Sequence, residues 1–204
     1  MNLKPSLLFL LVLPLWSQQE PPASCCHANQ TTQATSQPSG KSLFNLTGEW
    51  QDQAGHAFHF KDLAGKPVLV AMIFTHCQNA CPRIMVDLKR IEKAIPAPQS
   101  VQFLLVSMDP ERDTPEVLAQ FSQEWSVNNR NWTFITAPED LVLEIAAVLG
   151  VRYQKTAEGG FNHSNLITLL NAKGEIANQQ TGLNSDPTQT LAVLTQLTSS
   201  TEGE

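Results

Sequence analysis

Beyond residue 42 the apolar positions fall into two recurring signatures. Pro67–Phe74 and Val101–Met108 are nearly unbroken apolar runs, the mark of strands covered on both faces. Between them, after Pro82, Ile84, Met85, Leu88, Ile91 and Ile95 recur at helical spacing. Thr114 then caps a helix that Pro115 opens, with Val117, Leu118, Phe121 and Trp125 along one face. Trp132–Thr136 reads as a short strand. Thr136 with Glu139 resembles a capping box for a helix that turns Leu141, Val142, Ile145 and Leu149 inward until Gly150 stops it. Two hairpins bracket this run. Phe44–Trp50 and His56–Phe60 flank Asp52–Gly55, and Leu166–Leu170 and Glu175–Asn178 flank Asn171–Gly174. Asp186 and Pro187 start a last helix through Leu191, Leu194 and Leu197. The order ββ-βα-βα-βα-ββ-α predicts an α/β fold: a three-layer α/β/α sandwich with a mixed central sheet and an N-terminal β-hairpin.

The first 42 residues do not fit that scheme. Lys4 precedes an apolar run from Leu7 to Trp16, broken by Pro14, in the form of a secretory signal. Residues 1–24 are therefore expected to be a leader. Ala23 and Ser24 before Cys25 half-match a bacterial lipoprotein box, with Pro22 where Leu is usual, so lipidation at Cys25 is one route to a membrane tether. Cys25, Cys26 and His27 make a compact group of soft ligands, and adjacent Cys beside a polar tail read more simply as a processing site. Residues 25–42 are rich in Gln, Thr, Ser and Asn and are expected to be a disordered tether, leaving 43–204 as the folded domain.

Composition narrows the function. The chain has 204 residues, is 42% hydrophobic and carries a net charge of −6 with no basic run, which argues against nucleic-acid binding. No apolar run approaches the roughly 20 residues of a membrane span. Four Cys are too few for a disulfide scaffold of this length. Asn29, Asn45 and Asn131 begin glycosylation triplets of the kind that also arise by chance.

The chemistry gathers at Phe74-Thr75-His76-Cys77 and Cys81-Pro82, where a buried strand gives way to a helix. Ligands bind at that end of open α/β sheets. Pro82 disfavours a helical Cys81, which places Cys81 at or just outside the N-cap. Both sulfurs would then face the positive end of the helix dipole, lowering a thiol pKa from about 8.5 toward 7 or below. Two such thiols can close a disulfide, hold a metal or sit idle, and the strand-to-helix setting disfavours the idle reading. A closed zinc site needs four ligands, and the domain has no second Cys pair. His163, just before the strand at Leu166, is the candidate third ligand; two thiolates and an imidazole suit copper, as Cu(I) or Cu(II). His76 competes for that role and ranks lower, because neighbours on an extended chain point opposite ways. His56 and His59 read as surface residues. Asp109 ends the second buried strand on the same rim as Cys77. It is expected to support the site or touch a partner, although turn and cap chemistry explains most of its run. Arg112 reads as the ion-pair partner of nearby acids.

At these residues the chain resembles the SCO/SenC family. Three motifs carry the likeness: Thr75-His76-Cys77 with Cys81-Pro82; Ser107-Met108-Asp109-Pro110-Glu111-Arg112-Asp113-Thr114-Pro115; and His163-Ser164 before a strand. The likeness runs from about Phe44 to Leu197. It implies a thioredoxin-like fold, which the element order also matches, and one copper per domain bound by Cys77, Cys81 and His163. It further implies that the protein delivers copper to, or prepares the thiols of, the dinuclear copper site of cytochrome c oxidase subunit II. Other copper enzymes, thioredoxin-like reductases and other copper chaperones are the further partners it suggests. The expected location is exported, on the bacterial periplasmic face. The chain departs from the family at Gln78-Asn79, where Pro-Asp is frequent, and at Asn162, where Asp is frequent. Those changes remove carboxylates beside the site and leave the three ligands standing; His76 and Asn162 are held as contacts of the site or a partner.

A thiol-disulfide oxidoreductase using Cys77 and Cys81 is the alternative. Against it, no proline stands between Pro138 and Pro187 to supply the cis-Pro that faces a thioredoxin-type dithiol; that loop carries His163 instead. The peroxiredoxin spacing is absent.

Overall fold

The computed structural model describes residues 41–77, 80–127 and 130–199. The leader, Cys25, Cys26, His27, all of the tether before Lys41, and Gln78 and Asn79 lie outside the described residues.

The N-terminal hairpin is shorter than the pattern suggests. It pairs β1 (Trp50–Asp52) with β2 (Ala57–Phe58), antiparallel. Asp52 makes the turn: one of its carboxylate oxygens accepts the Ala54 and His56 N–H groups at 2.8 and 2.9 Å. The flanking segments are 3₁₀ turns, Leu43–Asn45 and Phe60–Leu63, rather than strand. Leu43 and Phe44 are adjacent and both buried, which a strand with one wet face does not permit.

The next three strands form the parallel centre. All six side chains of β3 (Val68–Ile73) are buried. Helix α1 (Ala80–Ala94) leads to β4 (Gln102–Ser107), which runs parallel to β3. Helix α2 (Pro115–Glu124) leads to β5 (Trp132–Thr136), parallel to β4. Helix α3 (Glu139–Leu149) follows, ended by Gly150 at φ +73°. Its N-cap is Pro138, not Thr136: Thr136 is still paired in β5 and its buried hydroxyl has no partner among the described residues, so no capping box forms.

The pattern also missed a pair of strands. A separate small hairpin joins β6 (Tyr153–Lys155) to β7 (Phe161–His163). The chain then re-enters the main sheet as β8 (Leu166–Leu170), antiparallel to β3, and returns as β9 (Ile176–Thr181) before α4 (Thr188–Ser199). The main sheet runs β2-β1-β5-β4-β3-β8-β9. Alternation along β9 shows helices on both faces. Gln179 reaches the last turn of α3 through the Leu149 carbonyl at 2.9 Å, while Asn178 and Gln180, on the other face, accept from Thr190 of α4. This is the mixed-sheet, thioredoxin-like sandwich the element order predicts. β3 lies deep in the sheet, so its C-terminal end opens in the middle of one rim. Among the described residues no helix is long and apolar enough to cross a membrane.

Candidate metal centre

The Cys77–Cys81 turn is held by its own backbone. Cys77 N–H donates to the Phe74 carbonyl at 3.2 Å. The Cys81 N–H points at Cys77 Sγ, and the Phe74 N–H points at Cys81 Sγ, both at 3.4 Å. Cys81 sits inside the first turn of α1 rather than at its cap. The steric bias that Pro82 puts on Cys81 is a preference rather than a bar, and in the first turn the N–H that proline lacks costs no intrahelical bond. Cys77 is half-buried and Cys81 is 1% exposed; neither is in a disulfide.

Burial reverses the expected thiol chemistry at Cys81. Loss of solvent pushes its pKa far above the ordinary thiol value, and the neighbouring Cys77 and Asp113 push the same way. The Phe74 N–H opposes them and does not win. The metal-free protein therefore carries Cys81 as a thiol, and a soft cation entering the turn must displace that proton.

Behind the turn stands Asp113, whose place in the sequence suggests only the start of a helix. It is fully buried and accepts from Thr75 Oγ1 at 2.6 Å, from the Thr75 N–H at 3.1 Å and from Ser107 Oγ at 2.6 Å. One carboxylate thus ties the end of β4 to the start of the Cys turn. Asp109 is also buried, but it faces the neighbouring loop: its carboxylate accepts from Arg112 Nε, and the same guanidinium donates to the Gly159 carbonyl in the β6–β7 hairpin.

That hairpin carries His163. Residue 163 ends β7 opposite Tyr153, and its ring stands edge-on to Phe74 with centroids 6.1 Å apart. Phe161 on the same strand packs edge-on against Phe74 at 5.0 Å. His163 Nδ1 lies 3.2 Å from the Ser164 carbonyl, a contact only an N–H at that position satisfies. The proton therefore sits on Nδ1, and Nε2 keeps its lone pair. Nε2 is buried and has no hydrogen-bond partner among the described residues. Burial also holds the imidazole pKa below the ordinary histidine value, so the ring is neutral at pH 7. A neutral imidazole with one nitrogen anchored to a carbonyl and the other bare is the form in which histidine binds metals.

His163 and Cys77 line one cleft of about 550 Å³, together with Phe74, His76, Glu158 and Asn162. His76 is exposed there, its Nδ1 3.1 Å from Thr75 Oγ1. Asn162 is exposed opposite Gln154. Cys81 and Asp109 do not line the cleft. Among the described residues no group of three His, Cys, Asp or Glu side chains is gathered tightly enough to hold a metal ion. The structure thus brings His163 to the mouth of the Cys turn without closing a three-ligand set. The hairpin that does this had a sequence signal, the Gly159-Gly160 pair, which closes its five-residue turn with Gly159 at φ +78°.

The profile of the SCO1/SenC family matches residues 33–199. The chain belongs to the SCO1/SenC family. An SCO2-like protein of Rickettsia bellii is 29% identical over 134 residues, covering 61% of this chain and 64% of the relative. The mitochondrial SCO2 homolog of Bos taurus is 34% identical over 100 residues, 47% of this chain and 36% of the relative. The chain thus spans less than two thirds of these curated relatives. Among solved structures, a SCO1/SenC family lipoprotein of Bacillus anthracis superposes with a TM-score of 0.69 at 25% identity, covering 75% of this chain and 94% of that one. Bradyrhizobium japonicum ScoI with copper bound superposes at 0.62 with 24% identity, covering 74% and 96%, and shares the fold.

Proposed function

We propose that the protein binds one copper ion through Cys77, Cys81 and His163, and delivers copper to, or prepares the thiols of, the dinuclear copper site of cytochrome c oxidase. The observation that carries this reading is the bare, buried Nε2 of a neutral His163 at the cleft that Cys77 lines. Two sulfurs and one imidazole suit copper in either of its common oxidation states. Family membership supports the assembly role, since SCO/SenC proteins serve the copper sites of cytochrome c oxidase. The leader read in residues 1–24 and the Bacillus anthracis family lipoprotein support an exported, tethered protein on the periplasmic face.

The placement of the two sulfurs suits transfer. Cys77 is the sulfur on the cleft, so a partner's soft ligand meets it first. Cys81 lies behind, shielded from solvent, and its high proton affinity favours re-protonation once the metal leaves. The same burial weakens the oxidoreductase alternative, because a resolving thiol must ionise to attack.

The test is a competition titration of the reduced chain against a chromophoric Cu(I) chelator. The wild type is expected to take one equivalent, and Ala at Cys77, Cys81 or His163 to bind far more weakly. A His163→Ala variant that competes as well as wild type would remove the three-ligand site. Rapid disulfide turnover by the metal-free chain, untouched by that substitution, would favour the oxidoreductase.

A further inference from the structure

We propose that Arg112 is a positioning residue: it grips the tip of the β6–β7 hairpin and thereby sets how firmly His163 is presented to the Cys77–Cys81 turn. This role rests on the copper reading above. Asp109 is 1% exposed, and a charge so buried persists only with a partner. Arg112 Nε is that partner, which fixes the plane of the guanidinium. Its Nη2 is then aimed at the Gly159 carbonyl. Gly159, at φ +78°, lies in the hairpin turn that Thr156 and Gly160 close with a 2.8 Å hydrogen bond, four residues before His163. The turn end of the hairpin is thus held by Arg112 on Gly159 and by Phe161, the strand residue next to the turn, on Phe74, while His163 at the other end of β7 meets the same Phe74 ring. A further link, Lys155 to Glu111 at 2.8 Å, is exposed and screened by salt.

The geometry gives the loop a second task. The backbone N–H groups of Arg112 and Asp113 both donate to the Asp109 carbonyl, so the run 109–113 is one tight turn. From that turn Arg112 reaches the hairpin and Asp113 reaches Thr75, two residues before Cys77. One short loop therefore spans the elements that carry the imidazole and the sulfurs. Only a forked donor makes both Arg112 contacts, and a lysine at this position keeps the charge but not the second bond.

The experiment uses the full chain as wild type, Arg112→Lys, Arg112→Ala, His163→Ala and the Arg112→Lys/His163→Ala double variant. In the metal-free protein, Arg112→Lys is expected to speed amide exchange at Gly159, Gly160 and Ser164 about 10-fold or more while leaving β3 and β4 protected. In copper competition, Arg112→Lys should weaken binding roughly 10-fold, within the range for groups that orient a ligand. The double variant should bind no more weakly than His163→Ala alone, because Arg112 acts through that ring. Unchanged hairpin exchange in both Arg112 variants, or losses that add in the double variant, would overturn the role of Arg112 alone. A wild-type chain that takes up no copper would overturn the copper reading beneath it.

Discussion

The Thr75 hydroxyl donates a 2.6 Å hydrogen bond to Asp113, joining the turn that carries Cys77 to a loop 38 residues further along the chain. Asp113 is fully buried and takes Thr75 N–H and Ser107 Oγ as well, so its carboxylate organises the floor beneath the sulfurs. Exchanging it for Asn turns one acceptor oxygen into a donor facing donors.

Asp113→Asn is therefore expected to lower stability by about 1–3 kcal/mol, the cost of leaving buried groups mismatched. Urea titration should show a lower midpoint at unchanged slope. The same substitution removes a negative charge that raises the Cys81 pKa, so alkylation of Cys81 in the reduced chain should begin at lower pH. Wild-type stability with wild-type alkylation would show that Asp113 is not the tie.

The central strands are legible in the sequence. β3 and β5 announce themselves through Pro67–Phe74 and Trp132–Thr136, since nearly every position in them is covered. Apart from the Gly159-Gly160 pair, β6 and β7 leave no trace, because Tyr153-Gln154-Lys155 is short and mostly wet, and a small exposed ribbon needs no apolar run. The residue types at Cys77, Cys81 and His163 stand out in the sequence. The roles of Asp113 and Arg112 do not, because Asp-Pro-Glu-Arg-Asp-Thr-Pro has the composition of any turn followed by a cap. Cys81 shows the same limit in its chemistry: a helix N-terminus is visible in the sequence, whereas the burial that outweighs it, and the Phe74 N–H that opposes that burial, exist only once α1 packs onto the sheet.

On the acid side, His163 makes the metal-free protein pH-sensitive. Its folded pKa lies below the ordinary value of about 6.5. An unfolded chain thus binds the proton first, and the stability from the neutral buried ring is complete above about pH 6.5 and lost as pH falls through the folded value. His163→Gln should flatten that part of the stability-pH curve, measured by urea midpoints from pH 5 to 7. An unchanged slope would mean the ring is not held neutral.

On the alkaline side the sign is opposite. The Cys81 pKa is raised in the folded state, so its contribution is full below the unfolded thiol value of about 8.5 and declines as pH rises past it. Cys81→Ser should be measurably less sensitive than wild type between pH 8 and 9.5 in the same assay. Equal alkaline slopes would place Cys81 in contact with solvent, against its burial.

The central claim is that His163 Nε2 joins Cys77 and Cys81 on one copper ion. X-ray absorption of the copper-loaded, reduced chain addresses it directly, with His163→Ala as the comparison. Two sulfur neighbours and one imidazole nitrogen in the wild type, with the nitrogen lost in the variant, is the result expected. A wild-type spectrum with two sulfurs and no imidazole, unchanged by the substitution, would contradict it.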